Sequence, residues 1–440
     1  MTMPDVPPVS GWRCAVCGAD TPIDQPLSWR CPGGAHGGHH APRLVQSIAP
    51  LRSNGDPNPF VAFRRYLAWD AFAAAHGLAP DERDTIVRAL DARVADVAGT
   101  GFVTTPFGRA DALSDALGFT ADGGVWVKDE THSVAGSHKA RHLFSILLHL
   151  VTVEHLGIAP WQTGSSSAIA RPPLAIASCG NAALAASTLA ASVEWPIRVF
   201  VPPSASSTVL ARLHALGATV VECPRRADDP PGDPCVHRFR EAVAAGAVPF
   251  SVQGTENAWC LDGGRTIGWE MARHMEEQEV GPPLDRLFVQ VGGGAFAACL
   301  AAGFRMSGIT PRLHAVQTES CAPLSRAWQR SAAVGGAKAA ASHWDECMWP
   351  WEHVGTSAAD GILDDETYDW LPVLESMAEG HGAPVVATEQ HVLEANTLAH
   401  THTDVDPSHT GSAGLAGLLA LRSELGADER VAVVLSGIRR

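Results

Sequence analysis

From about residue 123 onward this 440-residue chain keeps repeating one pattern: a short apolar run, a turn, then a longer Ala-rich stretch with helical spacing. The runs fall at 125–128, 174–177, 197–201, 219–222, 287–291, 313–317 and 431–435. A strand that is apolar throughout has to be covered on both faces. Helices between such strands cover them, which gives a parallel sheet in an α/β fold. The intervening helices are expected at 140–155, 181–192, 206–216, 235–245, 264–277 and 295–306. Upstream, helical spacing covers 59–76 and 81–98, with Asp81 as the expected N-cap. The segment 332–370 carries Trp344, Trp349, Trp351 and Trp370 with little periodicity. It reads as a surface excursion packed on the body or on a second subunit, or else as an aromatic lid.

Open parallel sheets bind ligands beyond the carboxyl ends of their strands, so the residues at those ends carry the chemistry. After 125–128 comes Ser137-His138-Lys139-Ala140-Arg141, in a chain whose only other lysines are Lys128 and Lys338. Arginine does the basic work elsewhere but cannot replace a lysine amine that bonds to a carbonyl carbon. After 174–177 comes Ser178-Cys179-Gly180-Asn181. Free N–H groups at such a junction suit a carboxylate, although Ser178 and Asn181 serve equally well as helix caps. After 287–291 comes Gly292-Gly293-Gly294-Ala295-Phe296, which lets an anion approach backbone donors at a helix start, or simply makes a tight turn. It is neither a Walker loop nor a dinucleotide fingerprint. After 431–435 comes Ser436-Gly437, a hydroxyl able to hydrogen-bond a ring nitrogen.

Residues 1–42 are distinct, rich in Pro, Gly, Cys and His. Cys14, Cys17 and Cys31, with His36, His39 and His40 following, have the spacing of a zinc ribbon or knuckle. Three thiolates and one imidazole, taken as Cys14, Cys17, Cys31 and His36, would close a structural zinc site. The formal net charge of −15 argues against nucleic acid as a partner, since phosphate backbones need a basic face. The first eleven residues lack the basic and apolar regions of a secretory signal, and no apolar run approaches the ~20 residues of a membrane span. The expectation is a cytoplasmic protein with reduced thiols.

These motifs together resemble the fold type II pyridoxal-phosphate enzymes, the group of threonine/serine dehydratases, threonine synthase and the tryptophan synthase β subunit. The similarity runs from Thr105-Pro106 to the C-terminus. It implies two parallel-sheet α/β domains, 43–128 with 253–440 and 129–252, behind a zinc-ribbon-like segment. It implies pyridoxal 5'-phosphate on Lys139 as a Schiff base, with Asn181 beside its 3-oxygen. Gly292, Gly293, Gly294, Ala295 and Phe296 would hold its phosphate, and Ser436 its pyridine nitrogen. Ser137, Ser178, Cys179 and Gly180 would meet the substrate. Gly263-Gly264-Arg265-Thr266-Ile267 and Ala359-Asp360-Gly361-Ile362 match connecting segments of the dehydratases. His138 departs from the phenylalanine usual in dehydratases, Cys179 from a small or hydroxylic residue, and the chain ends at Ile438-Arg439-Arg440. The activity so implied is β-elimination on a small amino acid such as serine or threonine, in a homodimer. A threonine synthase-like replacement enzyme is the alternative; for its phosphorylated substrate Arg141 is the one evident cation near the lysine. A zinc-ribbon interaction protein with an inactive enzyme body is the reading from a different class.

Overall fold

The computed structural model describes residues 8–47, 50–162, 171–277 and 284–440, with the side chains of 35 and 36 outside the described set. The chain forms two compact units, 1–103 with 139–266 and 104–138 with 267–440. These boundaries differ from those expected, because residues 43–103 group with 139–266. Trp69 Nε1 donates to Thr152 Oγ1 at 2.8 Å, and Arg93 Nε donates to Ser192 O at 2.9 Å. The buried Asp262 carboxylate accepts the backbone N–H groups of Ala68 and Trp69 at 2.8 and 3.0 Å. Contacts this distant in sequence leave no local pattern to read.

The first unit holds a four-stranded parallel sheet in the order Thr219–Glu222, Ile197–Val201, Leu174–Ala177, Val248–Pro249. Its longest enclosed helix is Lys139–His155, buried from Ala140 to Leu150 without a break. The stretch Lys139–Gln162 has the length and apolarity of a membrane span, contrary to the sequence expectation, and 61% of its apolar window is buried inside the protein. Apolarity on all sides is what a helix needs when it is surrounded by its own unit. Helix Pro80–Ala98 starts one residue earlier than expected and is not capped by Asp81. Its N-cap is Ala79, whose N–H is accepted by the Glu82 carboxylate at 2.8 Å, while Pro80 supplies a first-turn φ already suited to helix.

Before these elements the chain builds a three-stranded antiparallel ribbon from Val9–Cys14, Asp20–Pro22 and Pro42–Gln46. So small a sheet cannot enclose a core of its own. It docks instead through Trp12, edge-on to Trp259 at 5.7 Å, and through the Leu27 N–H, accepted by His149 Nε2 at 3.1 Å.

The second unit carries a six-stranded sheet in the order Val385–Ala387, Arg312–Thr318, Arg286–Gln290, Arg430–Leu435, Gly124–Asp129, Phe107–Arg109. All neighbours are parallel except the last pair. Helix His409–Leu421 lies directly on this sheet because glycines recur on one face. A Cβ at Gly414 would meet Phe288 O at 2.9 Å, and one at Gly417 would meet Val316 Cγ2 at 2.3 Å. In the tryptophan-rich segment, Trp344 packs edge-on to Trp370 at 5.0 Å, and both are buried. Trp349 and Trp351 flank the Arg326 guanidinium, 3.8 and 4.9 Å from its carbon. These tryptophans pack on their own unit, the first of the arrangements expected for 332–370.

Candidate active site

Lys139 is the first residue of helix Lys139–His155 and is half-buried. The residues after it are fixed tightly. Arg141 is fully buried, its guanidinium donating to Thr266 Oγ1 at 3.1 Å and towards Val103 O at 3.5 Å. It is therefore committed to the fold, and the one cation that sequence offered for a phosphorylated substrate is engaged elsewhere. His142 Nδ1 donates to Cys260 O at 2.9 Å, the only role open to it against a carbonyl. Burial, then the nearby Lys139 charge, pull the His142 pKa down to about 3, so this ring is neutral at physiological pH. Gly263 and Gly264 clamp this first turn. An added Cβ would stand 2.0 Å from Arg141 O at the first and 2.2 Å from the His142 ring at the second. Only glycine permits that approach, which gives the Gly263-Gly264-Arg265-Thr266 segment a physical role in seating the lysine helix.

In the same unit, strand Leu174–Ala177 ends at Ser178, and helix Asn181–Ser192 begins three residues later. Its N-cap is Gly180, which has no side chain with which to cap it. Ser178 Oγ accepts the Gly180 N–H at 3.4 Å, tightening the turn without reaching into the helix. Ser178 and Asn181 are half-buried, and Cys179 is exposed. A solvent-facing turn with helix N–H groups behind it suits a small carboxylate.

In the second unit, the adjacent parallel strands Arg286–Gln290 and Arg430–Leu435 deliver the glycine run and Ser436 to one edge of the sheet. Gly294 adopts φ +96°, open to glycine at little cost, and is the N-cap of helix Ala295–Met306 without any side-chain cap. Strand Gly124–Asp129, parallel to Arg430–Leu435, brings residues 130–138 to the same edge. Ser137 bridges Gly437, and the backbone N–H and Nδ1 of His138 both approach Ser436 O, at 3.2 and 3.1 Å. The His138 ring stacks on Phe296 with centroids 4.0 Å apart. A histidine in place of phenylalanine thus keeps the flat packing surface and adds a donor that ties the serine segment down. Ser137 is completely buried, and its Oγ has no hydrogen-bond partner among the described residues. An orphaned hydroxyl at such an edge calls for a polar ligand atom.

Two residues here escaped the sequence reading. Gln290, last in its strand, is buried with its amide nitrogen 2.5 Å from Ser436 Oγ. A lone amide in the run Leu287-Phe288-Val289-Gln290-Val291 was the available signal. Asp364 lies against the glycine run, its Oδ2 2.5 Å from where a Cβ on Gly292 would be. Nothing local in sequence pairs the two.

The N-terminal cysteines also converge. One donor atom from each of Cys14, Cys17, Cys31 and His40 lies within 4.8 Å of every other. Cys14 Sγ is 3.5 Å from His40 Nδ1, and Cys17 Sγ is 3.4 Å from Cys31 Sγ. His40 Nε2 faces Gly37 O at 3.3 Å, which holds the hydrogen there and leaves Nδ1 as an acceptor. Among the described residues the fourth member of the cluster is His40; the side chain of His36, the residue expected from sequence, lies outside the described residues. His40 is followed directly by Ala41 and strand Pro42–Gln46, and that strand pairs with the one carrying Cys14.

Residues 100–437 match the family model described as pyridoxal-phosphate dependent enzyme. A search of curated proteins found no match. Among solved structures the chain is similar to a threonine deaminase from T.th., with TM-score 0.60 and 20% identity, covering 81% of this chain and 98% of that one. It is similar to diaminopropionate ammonia lyase from Escherichia coli, with TM-score 0.58, 16% identity and coverage of 81% and 88%. It is likewise similar to serine racemase from Dictyostelium discoideum, with TM-score 0.57, 15% identity and coverage of 81% and 98%.

Proposed function

Because the chain belongs to the pyridoxal-phosphate-dependent enzyme family, we propose that it is a lyase acting by β-elimination on a small β-substituted amino acid such as serine or threonine. The residues present suit the cofactor: the helix start at Gly294, the Ser137 hydroxyl without a partner among the described residues, and the glycine run are what an anion and a polar ring require. Gly292, Gly293, Gly294, Ala295 and Phe296 would hold the phosphate, Ser436 the ring nitrogen, Asn181 the 3-oxygen, and Lys139 the aldehyde carbon. When bound, the cofactor supplies an electron sink for the charge left at the substrate Cα. Lys139 Nζ takes the Cα proton as general base, its amine kept available by the helix N-terminus on which it sits. The 178–181 turn receives the substrate carboxylate and so sets which Cα bond faces the lysine. Water and a 2-amino acid carrying a β-hydroxyl are thereby converted, on balance, to a 2-oxo acid, ammonia and the water regained.

The observation that carries the choice of elimination is Ser436, a neutral hydroxyl at the carboxyl end of strand Arg430–Leu435, where a carboxylate would instead hold the ring nitrogen protonated. The threonine deaminase and ammonia-lyase among the structural neighbours favour the same class. The N-terminal ribbon favours a threonine synthase-like replacement enzyme as the second reading, although the engaged Arg141 speaks against a phosphorylated substrate. Release of 2-oxo acid from serine or threonine, measured against phosphate release from phosphohomoserine and against change of chirality without ammonia, separates these readings. A colourless protein inert to all of these substrates would leave an inactive zinc-ribbon interaction protein. We place the enzyme in the cytoplasm as a homodimer.

Cys14, Cys17, Cys31 and His40 would hold a structural Zn²⁺, their donor set being that of a closed tetrahedral site. Its work is to fix a ribbon that has no core of its own.

A further inference from the structure

We infer that Gln290 is a positioning residue that forces Ser436 to donate its hydroxyl hydrogen to the cofactor's ring nitrogen. The inference rests on the proposed pyridoxal-phosphate reading. Gln290 and Ser436 are each 3% exposed, at the ends of adjacent parallel strands. Three oxygens surround the Gln290 amide nitrogen: Gly411 O at 2.9 Å, Val434 O at 3.2 Å and Ser436 Oγ at 2.5 Å. Two of these are carbonyls, which only accept, so the group facing them has to be NH₂ and the amide cannot be flipped. An amide nitrogen has no lone pair to offer. Its two hydrogens are shared among the three oxygens, of which Ser436 Oγ is the nearest, and towards that oxygen the nitrogen can only donate, so the serine's own hydrogen is left to point elsewhere.

No acceptor for that hydrogen lies within hydrogen-bond distance of Ser436 Oγ among the described residues. A hydroxyl that already accepts one hydrogen bond is also a stronger donor in the next. The natural acceptor is an unprotonated aromatic nitrogen. Serine is far too weak an acid to give it the proton outright, so the ring stays neutral. Gly414 provides the room: a Cβ there would stand 2.9 Å from Gln290 Oε1. Glutamine thus sets the direction of a hydroxyl that serine alone could turn either way.

The test compares pyridoxal phosphate with 1-deazapyridoxal phosphate, which has C–H in place of the ring nitrogen. Both are titrated into full-length protein stripped of cofactor, with binding read from the visible absorbance. Wild type should prefer the natural compound by about fivefold to tenfold, the worth of one buried hydrogen bond. Ser436→Ala and Gln290→Met should each abolish that preference, and the double variant should be no worse than either. A merely structural role for Gln290 would lower the melting temperature and both affinities together while leaving their ratio intact, and that result overturns the inference. Equal affinity of wild type for the two compounds overturns it without any Gln290 variant, should that variant fail to fold. If neither compound binds, the pyridoxal-phosphate reading falls as well.

Discussion

Lys128 and Lys139 stand eleven residues apart and should fail in opposite ways when replaced. Lys128 is fully buried in the second unit, where Nζ donates to Thr105 O at 2.7 Å and to Glu270 Oε2 at 2.5 Å, with Glu130 Oε1 at 3.9 Å. Both carboxylates are buried, and Thr105 bonds to each of them. Lys128→Met removes the ammonium that bonds the buried Glu270 carboxylate and breaks that pair from the cationic side. Breaking a buried ion pair from one side costs about 3–5 kcal/mol. For a folding unit of this size each kcal/mol moves the midpoint by roughly 2–4 °C, so the expected fall is roughly 6–20 °C. Adding Glu270→Gln should restore part of the loss, since the second charge then leaves too. Lys139→Ala should shift the midpoint little and abolish turnover, together with the borohydride-reducible visible band. Differential scanning calorimetry and the 2-oxo acid assay on the same preparations decide the matter. A fall of less than about 2 °C for Lys128→Met would refute the buried-pair argument, and full activity in Lys139→Ala would refute the assignment of the two lysines.

Acid should unfold the first unit early. His142 and His149 are buried with pKa values lowered to about 3 by burial, followed by the charges of Lys139 and His76 respectively. The unfolded chain would protonate both near the ordinary ~6.5. Their contribution is complete above that value and is lost as pH falls from about 6.5 towards 3, reaching about 2 kcal/mol per histidine at pH 5. His149→Gln, which keeps an acceptor for the Leu27 N–H, should flatten the slope of stability against pH over that window, and an unchanged slope would count against the argument. Zinc analysis should find about one ion per chain, and removing it with a chelator should lower the midpoint and quench or shift the fluorescence of Trp12 and Trp259; no metal and no change would return the ribbon to a metal-free packing role. Gly264→Ala places a methyl group 2.2 Å from the His142 ring and should cost about 1–3 kcal/mol as well as slow turnover, read by urea denaturation and the same assay.

The main strands were legible because parallel sheet demands continuous apolarity, and Leu174–Ala177, Ile197–Val201 and Thr219–Glu222 fall where the runs predict. Phe107–Arg109, Val248–Pro249 and Val385–Ala387 were not, since two or three residues are too few to carry a period. Helix His409–Leu421 was hidden for a different reason. Its glycines lower intrinsic helix propensity, and only the sheet packed beneath repays them. The cysteine spacing pointed to a ligand cluster, but three histidines within five residues left its fourth member open, and His40, next to the strand that pairs with the one carrying Cys14, fills that place among the described residues. Gln290 showed only as a lone amide in an apolar run and Asp364 not at all, because their importance lies in neighbours far along the chain: Gly411 and Ser436 for one, Gly292 for the other.

The bare face of His409–Leu421 bears on more than packing. Its Gly411 carbonyl accepts both the Ser436 N–H and the Gln290 amide, so the height of this helix above the strands is also the height at which the serine is held. One methyl group anywhere along that seam would act as a shim, lifting the helix and tilting the hydroxyl away from its target. Drift in this protein should therefore be tolerated on the helix's outer surface and punished on the inner one, even at positions that touch no ligand at all.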